Sequence, residues 1–203
     1  PGSAFGQAVE TPAPAGDDED FAAMQRRIVG VVEALIDYTR DARLTEPGLE
    51  AVLEHHASLD EVHADGDASR LVERAFVDGR YDFGTVVGDP AYVSWCRDRD
   101  LDPESFFRDF LRLQALRMRE ESLAGLDEAR EEMPVQRAGL EQVREQIGEE
   151  QYARALASLE SAVAMVEETR ALMEKLPVPS PEEAALLARN EARIRETLGE
   201  DLG

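Results

Sequence analysis

Phe21, Met24, Ile28, Val31, Leu35 and Tyr38 follow one another at steps of three, four, three, four and three residues. That spacing draws an apolar stripe along one side of a 3.6-residue helix, widened here by Val32 and Ile36. It does not fit the two-residue alternation of a half-buried strand. Similar stripes recur at Phe106, Phe110, Leu113, Leu116, Leu123 and Leu126, and at Tyr152, Leu156, Leu159, Val163 and Val166. Met173 lies one heptad beyond Val166, with Arg170 at the intervening position. No strand alternation persists and no fixed-period repeat is found. The expected fold is therefore all-α: a helical bundle of about seven helices, four of them long. Short helices between residues 46 and 100 cap the bundle that the long ones form.

Start and stop signals divide the stripes. Asp17 or Asp18 can cap the first helix. Thr45 with Pro47, Asp89 with Pro90 and Asp102 with Pro103 each place a capping oxygen just before a proline in the first turn, where its missing N–H costs nothing. Ser180-Pro181-Glu182-Glu183 reads as a capping box for a last helix ending near Leu198. Gly66 ends the second helix, and a short third one follows from Asp67 with Leu71, Val72 and Ala75 inward. "DGRYDFGTVVGDP" reads as an ordered loop in which Thr85, Val86 and Val87 form a brief extended piece without a strand partner. Pro134 should interrupt or kink the long helix, leaving "VQRAGLEQVREQIG" as a separate short one stopped by Gly148. The first stripe should pack against the Leu156–Val166 seam or the Phe110–Leu113 helix. Aspartate at Leu159 or Val31 would then bury an unpaired charge.

Of the 203 residues, 44 are acidic and 22 basic, giving a net charge of −22. Such a surface repels phosphate backbones and anionic membranes, so a nucleic-acid partner is not expected. Lys175 is the only lysine among those 22 basic residues. A GC-rich genome or a high-salt habitat would each produce that bias. The chain opens Pro-Gly-Ser, as a cleaved tag would leave it, and residues 4–20 are rich in Ala, Pro, Gly and acid. We expect residues 1–16 to form a flexible tether and 17–203 a single helical domain. A tether of this kind usually follows a removed leader. The expected location is extracytoplasmic, periplasmic or lipid-anchored, with membrane contact only through that anchor.

The three histidines, His55, His56 and His63, fall within nine positions. On an α-helix His56, Asp60 and His63 stand at i, i+4 and i+7, one face, with Glu54 or Asp67 near enough to complete a divalent-metal site. The competing reading is structural. Leu49, Val52, Leu53 and Leu59 define an apolar face that His56 continues. The positions three before the histidines hold Val52, Leu53 and Asp60, so the Glu-x-x-His of di-iron bundles is missing. Asp65, Asp67 and Ser69 resemble the opening of a calcium loop, but Phe76 stands where the twelfth-position glutamate belongs. No cofactor is expected, and a divalent metal is the one candidate.

Trp95, Phe106, Phe107 and Phe110, with Tyr92, read first as the core joining two helices and otherwise as a groove for a ligand or partner helix. Phe106 and Phe107 are neighbours about 100° apart on a helix, so one of them faces a second layer or a partner. Cys96, the only cysteine, excludes an intrachain disulfide and reads as a small buried residue. Phosphate-loop, nucleophile-elbow and dinucleotide motifs are absent.

The stretch "DPAYVSWCRDRDLDPESFFRDFLRL", the long charged helix, the proline break and "LPVPSPEEAALLARNEARI" resemble uncharacterised bacterial helical proteins that are exported or lipid-anchored. The resemblance covers about residues 85–200 and transfers no functional residue. The leading expectation is a non-enzymatic, extracytoplasmic helical bundle acting through a protein-partner or scaffold surface. The alternative is a protein binding a metal or small apolar ligand through His56, Asp60 and His63 or through the cluster around Trp95.

Overall fold

A computed structural model describes residues 17–62, 74–77 and 79–199. Seven α-helices run through them: α1 Asp17–Thr39, α2 Glu46–His55, α3 Gly84–Val87, α4 Pro90–Arg97, α5 Pro103–Ile147, α6 Glu149–Met173 and α7 Pro181–Leu198. A 3-10 helix, His56–Val62, continues α2. The four long helices are α1, α5, α6 and α7, and the short ones lie between residues 46 and 97.

The helices begin where the capping signals put them. Thr45 accepts from the Gly48 N–H, Asp89 from Ala91 and Tyr92, and Asp102 from Ser105. The capping box is complete: Ser180 Oγ accepts from the Glu183 N–H, and the Glu183 carboxylate accepts from the Ser180 N–H. Gly148 ends α5 at a φ of 81°, a conformation glycine adopts without steric cost.

Three expectations are corrected. Pro134 does not interrupt α5, which continues to Ile147 and takes in the stretch expected as a separate helix. Proline removes a single ladder hydrogen bond, and Pro134 is exposed, where water can take the freed carbonyl. Thr85–Val87 is helical rather than extended, and Val86 is 1% exposed. Phe76–Val77 and Arg80–Tyr81 do form a two-residue antiparallel ladder around Gly79, at φ 82°. The short helix expected from Asp67, with Leu71 and Val72, and its boundary at Gly66 lie outside the described residues, as do 1–16.

The buried cluster gathers Val32 and Leu35 of α1, Leu49, Val52 and Leu53 of α2, Tyr92 and Trp95 of α4, Phe106, Phe107, Leu111 and Leu113 of α5, and Leu186 and Ile194 of α7. The first stripe is rotated from its expected position. Val32, Leu35 and Thr39 are buried, whereas Ile28 is 47% exposed. The side chains of Phe21 and Met24 lie outside the described ones. Near Gly30 it is the Tyr81 ring that covers α1.

One ionic cluster ties these elements together. Arg112 and Glu183 are each 1% exposed. Arg112 Nε donates to Glu183 Oε1 and Nη2 to Oε2, both at 2.9 Å. The Leu44 N–H donates to Oε1 at 2.9 Å, and Arg112 also reaches the carbonyls of Thr39 and Val178. Burial alone would raise the Glu183 pKa. The Arg112 hydrogen bonds and the Leu44 and Ser180 N–H groups outweigh it and bring the pKa down to about 2.

Candidate functional site

The buried side chains of α5 stop at Leu116, although the helix continues to Ile147. Those of α6 are Tyr152 and Met173, at its two ends. Between them α5 and α6 form an antiparallel hairpin. A helix of 25 residues, the length of α6, is about 38 Å long. Among the described residues, the side-chain hydrogen bonds and ion pairs of positions 127–170 run within or between these two helices, apart from that of Arg170 with Glu174 just past the end of α6.

The hairpin is pinned at both ends. At its root Arg119 Nη1 donates to the carbonyls of Met173, Glu174 and Leu176 at 3.1, 2.7 and 3.1 Å. A cation there satisfies the free carbonyls and the negative dipole end of α6. Arg170 bonds Asp127 one turn further out. At the tip Arg144 pairs with Glu149 at 2.9 Å and stacks 4.7 Å from the Tyr152 ring centre. The Tyr152 hydroxyl donates to Glu141 at 2.5 Å, a bond that raises the tyrosine pKa.

The middle is open, and the seam explains why. Between Tyr152 and Arg170 the α6 seam is apolar: Leu156, Leu159, Val163 and Val166. On α5 Leu126, Met133, Leu140 and Ile147 alternate with Arg130, Arg137 and Arg144, each set at heptad spacing. Arginines at every second seam position leave α5 too little apolar surface to cover α6. A groove of about 430 Å³ results, floored by Met133, Leu156, Leu159, Val163 and Val166. Arg130, Arg137, Glu160 and Glu167 form its rim. Arg130 reaches Glu167 across it at 3.4 Å, with both side chains at least half exposed. Leu159 is half-buried and Val163 is 38% exposed. The α6 seam therefore belongs to this groove rather than to the core, and the expectation that Leu159 is a core position is corrected.

The residues expected to carry chemistry lie elsewhere. His56 is half-buried, its ring 5.8 Å from that of Phe110, and His55 meets Trp95 edge-on at 6.3 Å. The α-helix ends at His55, and in the 3-10 turn that follows it is i+3 that eclipses i, not i+4. The α-helical register relating positions 56 and 60 is thus not the one present. His63 and the Asp60 side chain lie outside the described residues. Among the described residues no three His, Cys, Asp or Glu side chains gather around a metal position.

Trp95, Phe106 and Phe107 are 5%, 4% and 1% exposed, and Phe110 is half-buried. The Trp95 indole N–H donates to the Ser58 carbonyl at 3.0 Å, and the Tyr92 hydroxyl donates to that of Pro103. Phe106 turns toward Trp95, while Phe107 meets Tyr38, Phe83 and Tyr92. Cys96 is fully buried, and burial raises its pKa. Sequence reading did not find the groove. Its signal was present in the arginines at seven-residue spacing on α5 opposite an unbroken apolar seam.

No described helix is long and apolar enough to cross a membrane. No protein family, curated protein or solved structure matches this chain.

Proposed function

We propose that this chain is a non-enzymatic, extracytoplasmic helical scaffold that works by holding a protein against the open face of its α5–α6 hairpin. One observation carries the reading: an apolar groove of about 430 Å³ on an arm projecting beyond the core. An apolar trough rimmed by charge is the pattern of protein-binding grooves. Its lining combines aliphatic side chains, a proline, two arginines and two glutamates, with no histidine, cysteine or serine, which suits binding rather than group transfer. The Ala-, Pro- and Gly-rich composition of residues 4–16 suits a flexible linker, the element by which such a scaffold would be tethered.

The test is photo-crosslinking in the native host. A photo-reactive side chain replaces Val163 in the groove, or Glu191 on α7 as the control. A discrete protein adduct from position 163 and none from 191 is the expected result. Equal or absent labelling from both would refute the reading.

A further inference from the structure

The rim of the groove is charged in a pattern that specifies its occupant. Arg130 and Arg137 stand one heptad apart on α5, and Glu160 and Glu167 one heptad apart on α6. The Arg130–Glu167 and Asp127–Arg170 contacts set which residues are level across the hairpin. Each pair of numbers adds to 297 (130 and 167; 127 and 170), and so do 137 and 160. Arg137 and Glu160 therefore stand level on opposite banks. Yet among the described residues neither makes an ion pair.

We propose that the groove is covered by the same groove of a second copy, forming a two-fold four-helix assembly. The proposal rests on the protein-binding reading above and names the partner. A two-fold axis running along the hairpin lays α5 of one copy over α6 of the other. Each Arg137 then faces the partner's Glu160, and each Arg130 the partner's Glu167. The floor residues Leu159 and Val163 meet Met133 of the other copy and lose their exposure. Turning the axis across the hairpin would instead stack arginine on arginine, so charge selects one arrangement, with both cores at the same end.

Two further points support a second copy. Each chain carries a net charge of −22, which opposes self-association over most of the surface. The groove's ionic lining is two arginines and two glutamates, which sum to zero. The lining itself therefore adds no net repulsion when two copies meet face to face. The area is also sufficient. A hairpin face about 38 Å long and about 20 Å wide offers roughly 750 Å² per copy, close to the roughly 800 Å² per partner of a standard interface.

Sedimentation equilibrium on the whole chain tests this, from about 1 to about 100 µM. Wild type should form a dimer. R137E should weaken it by about tenfold or more, because each dimer then sets two pairs of like charges face to face. E160R alone should do the same. The double variant R137E/E160R should recover most of the wild-type affinity, since the pairs are re-formed with reversed sign. L159D, at a half-buried position, should give a folded monomer, with helicity by circular dichroism as the check. Two results overturn the proposal: a wild-type monomer at every concentration, or a dimer whose affinity ignores the charge changes or is not rescued by the double reversal. In the first case the crosslinking above still decides the wider reading, because an adduct with the mass of another protein would sustain it.

Discussion

Arg112 and Glu183, 71 positions apart in sequence, meet through two parallel hydrogen bonds of 2.9 Å with neither side chain more than 1% exposed. The pair joins α5 to the start of α7, and through Leu44 and Thr39 it also holds the chain leaving α1. It sits two turns below Arg119, which grips the end of α6. The base of the hairpin is thereby fixed to the core by charged groups.

Breaking this pair should be far more costly than removing it. E183A leaves the Arg112 guanidinium buried without its partner and should lower the unfolding free energy by about 3–5 kcal/mol. R112M/E183L removes both charges and should recover a large part of that loss. Urea denaturation of the three proteins measures the difference. A cost for E183A below about 1 kcal/mol would mean that the pair is solvated rather than buried.

The same pair fixes an acid response. The folded Glu183 pKa, about 2, lies below its ordinary value. Its contribution is thus present above about pH 4.5 and is lost as pH falls toward 2. The stability gap between wild type and E183Q should narrow by roughly 3 kcal/mol across that interval. A gap that stays constant with pH would contradict the shift.

Asp109 behaves in the opposite sense. Its carboxylate lies against Gly48, where any Cβ would collide with it, and burial raises its pKa to about 6 against the lowering effect of Arg108. An acid whose folded pKa is raised penalises the fold when ionised. That penalty is full above about pH 6 and absent below about pH 4. D109N should therefore stabilise the protein by about 1–2 kcal/mol at neutral pH and change little at pH 4. Destabilisation at neutral pH would show that the charge has a partner.

Leu113 and Leu159 separate core from groove. Leu113 is 0% exposed, and L113D should abolish folding by burying an unpaired charge. Leu159 is half-buried on the hairpin, and L159D should cost about 1 kcal/mol or less. Comparable melting temperatures for the two variants would show that the hairpin is not separate from the core.

The capped helix starts were legible because they rest on local chemistry, whereas the break expected at Pro134 did not occur. A capping oxygen followed by proline at 45–47, 89–90 and 102–103, and the box at 180–183, act within one turn. Glu183 was legible as half of that box. Its second role was not, because Arg112 approaches from another helix and periodicity carries no information about what packs across. Arg112 itself stands between Leu111 and Leu113 where α5 is surrounded on nearly every side, a context in which an arginine must find a carboxylate. The apolar seam of α6 was read correctly as a seam and wrongly as core. Periodicity says that a face is apolar, not whether its partner covers it. The α5 arginines at positions 130, 137 and 144 decide that, and they take on meaning only once the two helices are known to be paired.

If the groove is covered when the protein works, a thiol placed in it should be shielded from alkylation. A single introduced cysteine reports this, because the native Cys96 is buried and should react slowly. V163C places the thiol in the groove, and A138C places it on an exposed turn of α5 outside the groove lining. In highly diluted purified protein the two should react at similar rates. In intact host cells V163C should be protected by about tenfold or more relative to A138C, as a groove occupied about nine-tenths of the time or more would be. Equal reaction at both positions in the host would contradict the claim.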